Sequence, residues 1–115
     1  MITEPIRLHR PREPQVRTPL GRFNLAQVER GLLAAREVVR DSWLKLCHLE
    51  ARTDLHRRGN AITQARNRLM ADRRTLTAFR RWRRKLRPKA RAWARENKRI
   101  DLIIRERYLA ARGKL

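Results

Sequence analysis

Thirteen of the 27 residues from 73 to 99 are arginine or lysine, and Glu96 is the one acid among them. Like charges three or four apart on a helix repel, and here almost no acids relieve them. Such a segment can spare only a narrow apolar stripe for a core. A long, thin or partnered helical assembly is therefore expected rather than a round domain. The imbalance extends through the chain: 31 Arg and Lys stand against 11 Asp and Glu in 115 residues, a formal net charge of +20. It is also lopsided. Residues 1–60 hold 12 basic and 7 acidic side chains, whereas residues 61–115 hold 19 and 4.

Apolar residues make up 41% of the chain, enough for some core, while charged residues reach 37%, above the usual quarter. Only 4 glycines and 5 prolines occur, which removes most β-turn punctuation and points to helices. No apolar run approaches the ~18 residues of a membrane span, and no apolar signal region follows Met1. The single cysteine, Cys47, excludes an internal disulfide framework. The expected location is the cytoplasm or the interior of a nucleoprotein or virus particle, not a secreted setting.

Four of the five prolines (Pro5, Pro11, Pro14 and Pro19) lie in the first 23 residues, among Arg7, Arg10, Arg12, Arg17 and Arg22. Proline lacks a backbone donor and disfavours a helix interior, so residues 1–23 read as an extended basic arm. The arm is either a disordered tail or a strand that orders along a partner. A helical domain follows over 24–115. Asn24 and Gln27 have capping-box spacing, and Phe23 can staple against Val28. Apolar positions then recur at Val28, Leu32, Ala35, Val39, Leu46 and Leu49, with Ser42 on the stripe and Trp43 beside it. This heptad-like seam predicts a first helix over about 25–58. Gly31 either weakens that helix or admits close approach of a second one.

Gly59-Asn60 is the expected break, with Gly ending one helix and Asn capping the next. The second helix, about 61–87, carries Ile62, Ala65, Leu69, Leu76, Phe79 and Leu86 on its seam, interrupted by Asp72 and Arg83. Pro88 is expected to end it, because the residue before proline is pushed out of helical geometry. A third helix over about 89–111 carries Trp93, Asn97, Ile100, Ile104 and Tyr108. A kinked continuation through Pro88 is the alternative. The expected fold is all-α: a long antiparallel helical hairpin plus a third C-terminal helix, behind the arm. Trp43, Phe79, Trp93 and Tyr108 lie on or near seams and read as core.

The binding candidates are the cations of the dense stretch and one aromatic within it: Arg73, Arg74, Arg80, Arg81, Trp82, Arg83, Arg84, Lys85, Arg87, Lys89, Arg91, Arg95, Lys98 and Arg99. Arg80, Arg84, Arg87 and Arg91 approach one side of a helix. Trp82 lies off the seam, where it could stack on an unpaired base among the arginines. Twenty-six of the 31 cations are Arg. Arg offers a planar fork for phosphate, although a GC-rich genome also drifts toward Arg codons. Three partners suit such a surface: a phosphate backbone, an acidic protein surface, or anionic lipid headgroups. A polyanion relieves the self-repulsion most directly. A helix-turn-helix around Gly59-Asn60, reading with Thr63, Gln64, Arg66, Asn67 and Arg68, is a weaker signal.

Enzyme chemistry lacks a pattern. Cys47 and His48 are helix neighbours that point apart, and His56 is nine residues past Cys47. Neither a zinc spacing nor a convergent set of acids is visible, so no catalytic residue, metal, cofactor or small-molecule substrate is expected. The expected function is non-enzymatic binding of nucleic acid through its phosphates. RNA is slightly favoured over DNA because the pattern combines a basic arm, clustered arginines and aromatics able to stack. The rival is a helical structural or regulatory protein, a virus-particle component or a small inhibitor. It would bind a protein partner, or itself, through its seams and an acidic surface through its basic face.

Overall fold

The computed structural model describes residues 9–52 and 58–113. The first eight residues of the arm, the end of the expected first helix at 53–57 and the last two residues lie outside the described residues. In chain order the elements are β1 (Val16–Thr18), β2 (Gly21–Phe23), α1 (Leu25–Ala51) and α2 (Arg58–Gly113). The molecule is a rod of 87 × 24 × 17 Å, and its length is that of α2, whose 56 residues span ~84 Å at 1.5 Å each.

α1 starts where its cap residues dictate. The Asn24 side chain accepts from the Gln27 amide at 2.9 Å, and the Gln27 side chain accepts from the Asn24 amide at 2.9 Å. Two amides that the helix itself cannot satisfy are thus paired. α1 packs antiparallel along the first half of α2, so the expected hairpin is present. Its core is two clusters strung along one seam. Val28, Leu32 and Ala35 meet Leu76, Phe79 and Leu86 in the first, with Val16 from β1. Leu46 meets Ala65 and Leu69 in the second. Val39 packs on both. Gly31 is the point of closest approach: a Cβ there would lie 2.2 Å from Phe79 Cε1. Only glycine leaves room for that ring.

Three expectations are corrected. The second and third helices are one, because α2 runs through Pro88 without a break. Proline in a helix interior costs ~3 kcal/mol and frees the carbonyl four residues back, here that of Arg84. Both residues are exposed, so water can satisfy that carbonyl. The arm touches α2 on either side of the proline, Val16 at Leu86 and Pro11 and Arg10 at Trp93, Asn97 and Asp101. The Gly59-Asn60 dipeptide is not the break either. It falls in the first turn of α2, where Thr63 Oγ1 donates back to the Gly59 carbonyl at 2.9 Å, and α1 ends at Ala51.

The third correction concerns the arm, which is not merely extended. Its second half folds into a two-stranded antiparallel hairpin, with Val16 opposite Phe23 and Thr18 opposite Gly21. Buried Thr18 closes the turn: its hydroxyl donates to the Gly21 carbonyl at 2.8 Å and accepts from the Leu20 amide at 3.1 Å. Gly21 has φ +124°, a region that favours glycine. Val16 and Phe23 face the core, while Arg17 and Arg22 pair on the outer side.

The part of the arm from residue 10 to residue 15 is a strap along α2, running opposite to it. Trp93 Nε1 donates to the Pro11 carbonyl at 2.9 Å. Arg10 donates to Asn97 Oδ1 at 3.2 Å and forms an ion pair with Asp101. Glu13 accepts from the Asn24 side chain at 3.5 Å. From Arg10 to Val16 the strap descends from Asp101 to Leu86, ~22 Å of helix covered by six extended residues at ~3.3 Å each. Among the described residues of the arm, the surface along which Arg10 to Val16 order is the chain's own α2.

Candidate nucleic-acid interface

The wheel of α2 decides which cations face water. Near the proline its sealed side carries Phe79, Trp82, Leu86 and Trp93. Arg73, Arg74, Arg80, Arg81, Arg84, Lys85, Arg87, Lys89, Arg91, Arg95, Lys98 and Arg99 are all exposed, and Arg83 is half-buried beside the seam. These cations stand on a single helix, rather than on two separated at Pro88, and surround its unsealed sides.

Two clefts organise this face. The first, about 360 Å³, is lined by Arg80, Arg83, Arg84, Arg87, Pro88 and Arg91. Its lining holds five guanidiniums and no carboxylate. The second, about 190 Å³, lies on the opposite flank between α2 and β1 and is lined by Gln15, Val16, Arg17, Lys85, Leu86 and Lys89. Arg17 is a contributor that spacing could not reveal. It sits 68 positions before Lys85, and only the Arg/Pro composition of the arm hinted at a role.

Acids trim the face at its far end. Glu96 accepts two bonds from Arg99, at 2.6 and 3.2 Å. The hydrogen bond from Arg99, reinforced by its charge, holds the Glu96 carboxyl below the usual glutamate value, and Arg99 is raised in turn. Arg99 is therefore partly neutralised before any ligand arrives. Ion pairs elsewhere among the described residues include Arg10–Asp101, Arg66–Glu50 and Arg68–Asp72. Among the described residues, no acid pairs with any candidate cation from Arg73 to Arg95.

Trp82 departs from its expected place. It is half-buried, edge-on to Phe79 at 4.8 Å between ring centroids and tilted against Phe23 at 6.3 Å. The hairpin supplies Phe23, so an off-seam tryptophan gains a wall that the helix pair alone lacks. Trp93 is half-buried and bound to the strap. Trp43 and Tyr108, which the seams suggested were core, are 49% and 62% exposed. The helix-turn-helix reading also lapses. α1 and α2 are antiparallel neighbours, and Arg66 and Arg68 are tied to Glu50 and Asp72.

Among the described residues, no group of three or more His, Cys, Asp or Glu could hold a metal ion, and no helix is long and apolar enough to cross a membrane. Cys47 is a half-buried free thiol. No family model, curated protein or solved structure matches the chain.

Proposed function

We propose that the protein binds nucleic acid without catalysis, through phosphate contacts made by the exposed cations of α2 and the arm. The observation that carries this reading is the first cleft: five arginines converge on one side of α2, without an acid in its lining. Holding them together costs electrostatic work, which a polyanion offsets by binding and releasing its own counterions. Contacts of this kind position a protein on a backbone without reading sequence.

The test is binding of the nuclease-treated protein to labelled RNA and DNA across a salt series. Affinity should fall steeply with salt, at ~0.9 in log–log slope per phosphate neutralised on a duplex. Reversing Arg80, Arg84 and Arg87 to glutamate should abolish binding. Failure to bind either ligand at low salt would remove the proposal.

A second reading has its own observation. The last turns of α2 expose Ile104 (44%), Tyr108 (62%) and Leu109 (52%). Such a surface suits a protein partner or a second copy of the chain, as in a structural or regulatory subunit. Polar changes there should then abolish assembly, as read by light scattering, and leave nucleic-acid binding intact.

A further inference from the structure

We infer that the segment from Arg80 to Arg95 enters the major groove of duplex DNA and meets the phosphates of both groove walls. The inference rests on the phosphate-binding reading above and narrows it to one form of ligand.

The distribution of charge around α2 is the first argument. At ~100° per residue, Phe79, Trp82, Leu86 and Trp93 occupy one arc, sealed by α1, the hairpin and the strap. Arg80, Arg81, Arg84, Arg91 and Arg95 lie opposite. Arg83 and Arg87 lie on one flank, whereas Lys85 and Lys89, joined by Arg17, lie on the other. Cations thus cover roughly 240° of the circumference. A helix resting on one strand, or on a flat acidic surface, would use a single face. Cations on both flanks match a trough whose two walls are charged.

The second argument is the placement of the aromatics. Proteins that hold unpaired strands stack bases on aromatic rings. Phe23, Phe79 and Trp82 pack on one another, Trp93 is turned to the strap, Trp43 belongs to α1 and Tyr108 lies beyond the basic stretch. These are all the aromatic residues of the chain, and none stands free on the cationic face. Stacking is one of three grounds for the sequence-based preference for RNA, and the packing of Trp82 removes that one.

Dimensions supply the third. A helix with its side chains is ~10–12 Å across, and the B-DNA major groove is ~12 Å wide. The major groove of an A-form RNA duplex is too deep and narrow for side chains to read. The 16 residues from Arg80 to Arg95 span ~24 Å, less than one ~34 Å turn of the duplex, so the segment is short enough to lie within one turn of the groove.

The test uses the full chain with a 20-base-pair DNA duplex, the single strand of the same sequence and the corresponding RNA duplex, at matched salt. The DNA duplex should bind at least ten-fold more tightly than either competitor, and dimethyl sulfate should find its guanine N7 atoms protected. Arg80→Glu/Arg84→Glu and, separately, Lys85→Glu/Lys89→Glu should each weaken duplex binding at least ten-fold, with helicity by circular dichroism unchanged. Where a reversal lowers helicity, the corresponding glutamine variants give the same comparison. Equal or tighter binding of the single strand or the RNA duplex would overturn the inference. So would unprotected N7 atoms, or a Lys85/Lys89 variant that binds like the parent. Binding to none of the three at low salt overturns the phosphate-binding reading itself.

Discussion

Ser42 of α1 donates its hydroxyl hydrogen to Asp72 of α2, 30 positions away, at the junction between the two apolar clusters of the hairpin. Each residue interrupts its own seam, and the two interruptions meet. Arg68 Nε lies 3.6 Å from the same Asp72 oxygen, and the Asp72 side chain is only 13% exposed. A polar pair in an apolar seam specifies register: sliding the helices would leave a carboxylate against leucines. A double-mutant cycle with Ser42→Ala and Asp72→Ala, followed by urea denaturation, should show a coupling of at least ~0.5 kcal/mol. Purely additive losses would show that the pair carries no register information.

Gly31→Ala should destabilise the hairpin although alanine is the better helix former. The new methyl group would lie 2.2 Å from Phe79 Cε1. Alanine returns up to ~1 kcal/mol of helix propensity, but displacing a packed ring costs ~1–3 kcal/mol. A net loss of ~1 kcal/mol is expected, with recovery when Phe79→Leu is added. Thermal melting of the single and double variants decides it, and a stabilised Gly31→Ala protein would contradict the close approach.

Pro88→Ala should stabilise the rod. It restores a hydrogen bond to the Arg84 carbonyl and removes a ring from a helix interior, a change worth up to ~3 kcal/mol. The melting temperature should rise and helicity by circular dichroism should increase. A fall in either would mean that the backbone geometry set by Pro88 is needed for the strap to dock.

The strap has an unequal pair of fastenings. Arg10 and Asp101 are 51% and 60% exposed, so their pairing contributes ~0.2–1 kcal/mol at most. The Trp93 bond to Pro11 is neutral and is not screened by salt, worth ~0.5–1.5 kcal/mol. Trp93→Phe should speed amide exchange in β1 and β2 more than Arg10→Ala does, with the α1–α2 hairpin unaffected. Equal exchange in both variants would remove the ranking.

Glu96 restrains the basic face. Its folded carboxyl is held below the ordinary value by Arg99, so whatever the pair adds is present above the unfolded value and lost as pH falls through the folded one. An NMR titration should place the Glu96 midpoint below that of an unpaired glutamate, and Arg99→Gln should return it upward. Glu96→Gln frees Arg99, so nucleic-acid affinity should rise and the log–log salt slope should steepen by ~0.9. Unchanged binding would place Arg99 outside the interface.

The parts of this fold legible in the chain are those whose information is local. Asn24 and Gln27 form a cap because their spacing alone brings side chain to amide. The seam positions Val28, Leu32 and Ala35 on α1, and Ala65, Leu69, Leu76 and Leu86 on α2, follow from the 3.6-residue period, as does the exposed run of cations. Gly31 reads as either a weak point or a close approach, and only the ring of Phe79 against it decides for the second. What spacing could not supply are partners far apart in sequence. Pro88 reads locally as a stop, worth ~3 kcal/mol, yet α2 runs through it, with contacts from Arg10, Pro11 and Val16 on both sides. Trp82 reads as exposed until Phe23 arrives from the hairpin. Ser42 and Asp72 read as flaws until each is seen to be the other's partner. Arg17 joins the cationic face only because the arm folds back on α2. Local geometry decides what each segment can be, and contacts between distant segments, each comparable to a local preference, decide which option is realised.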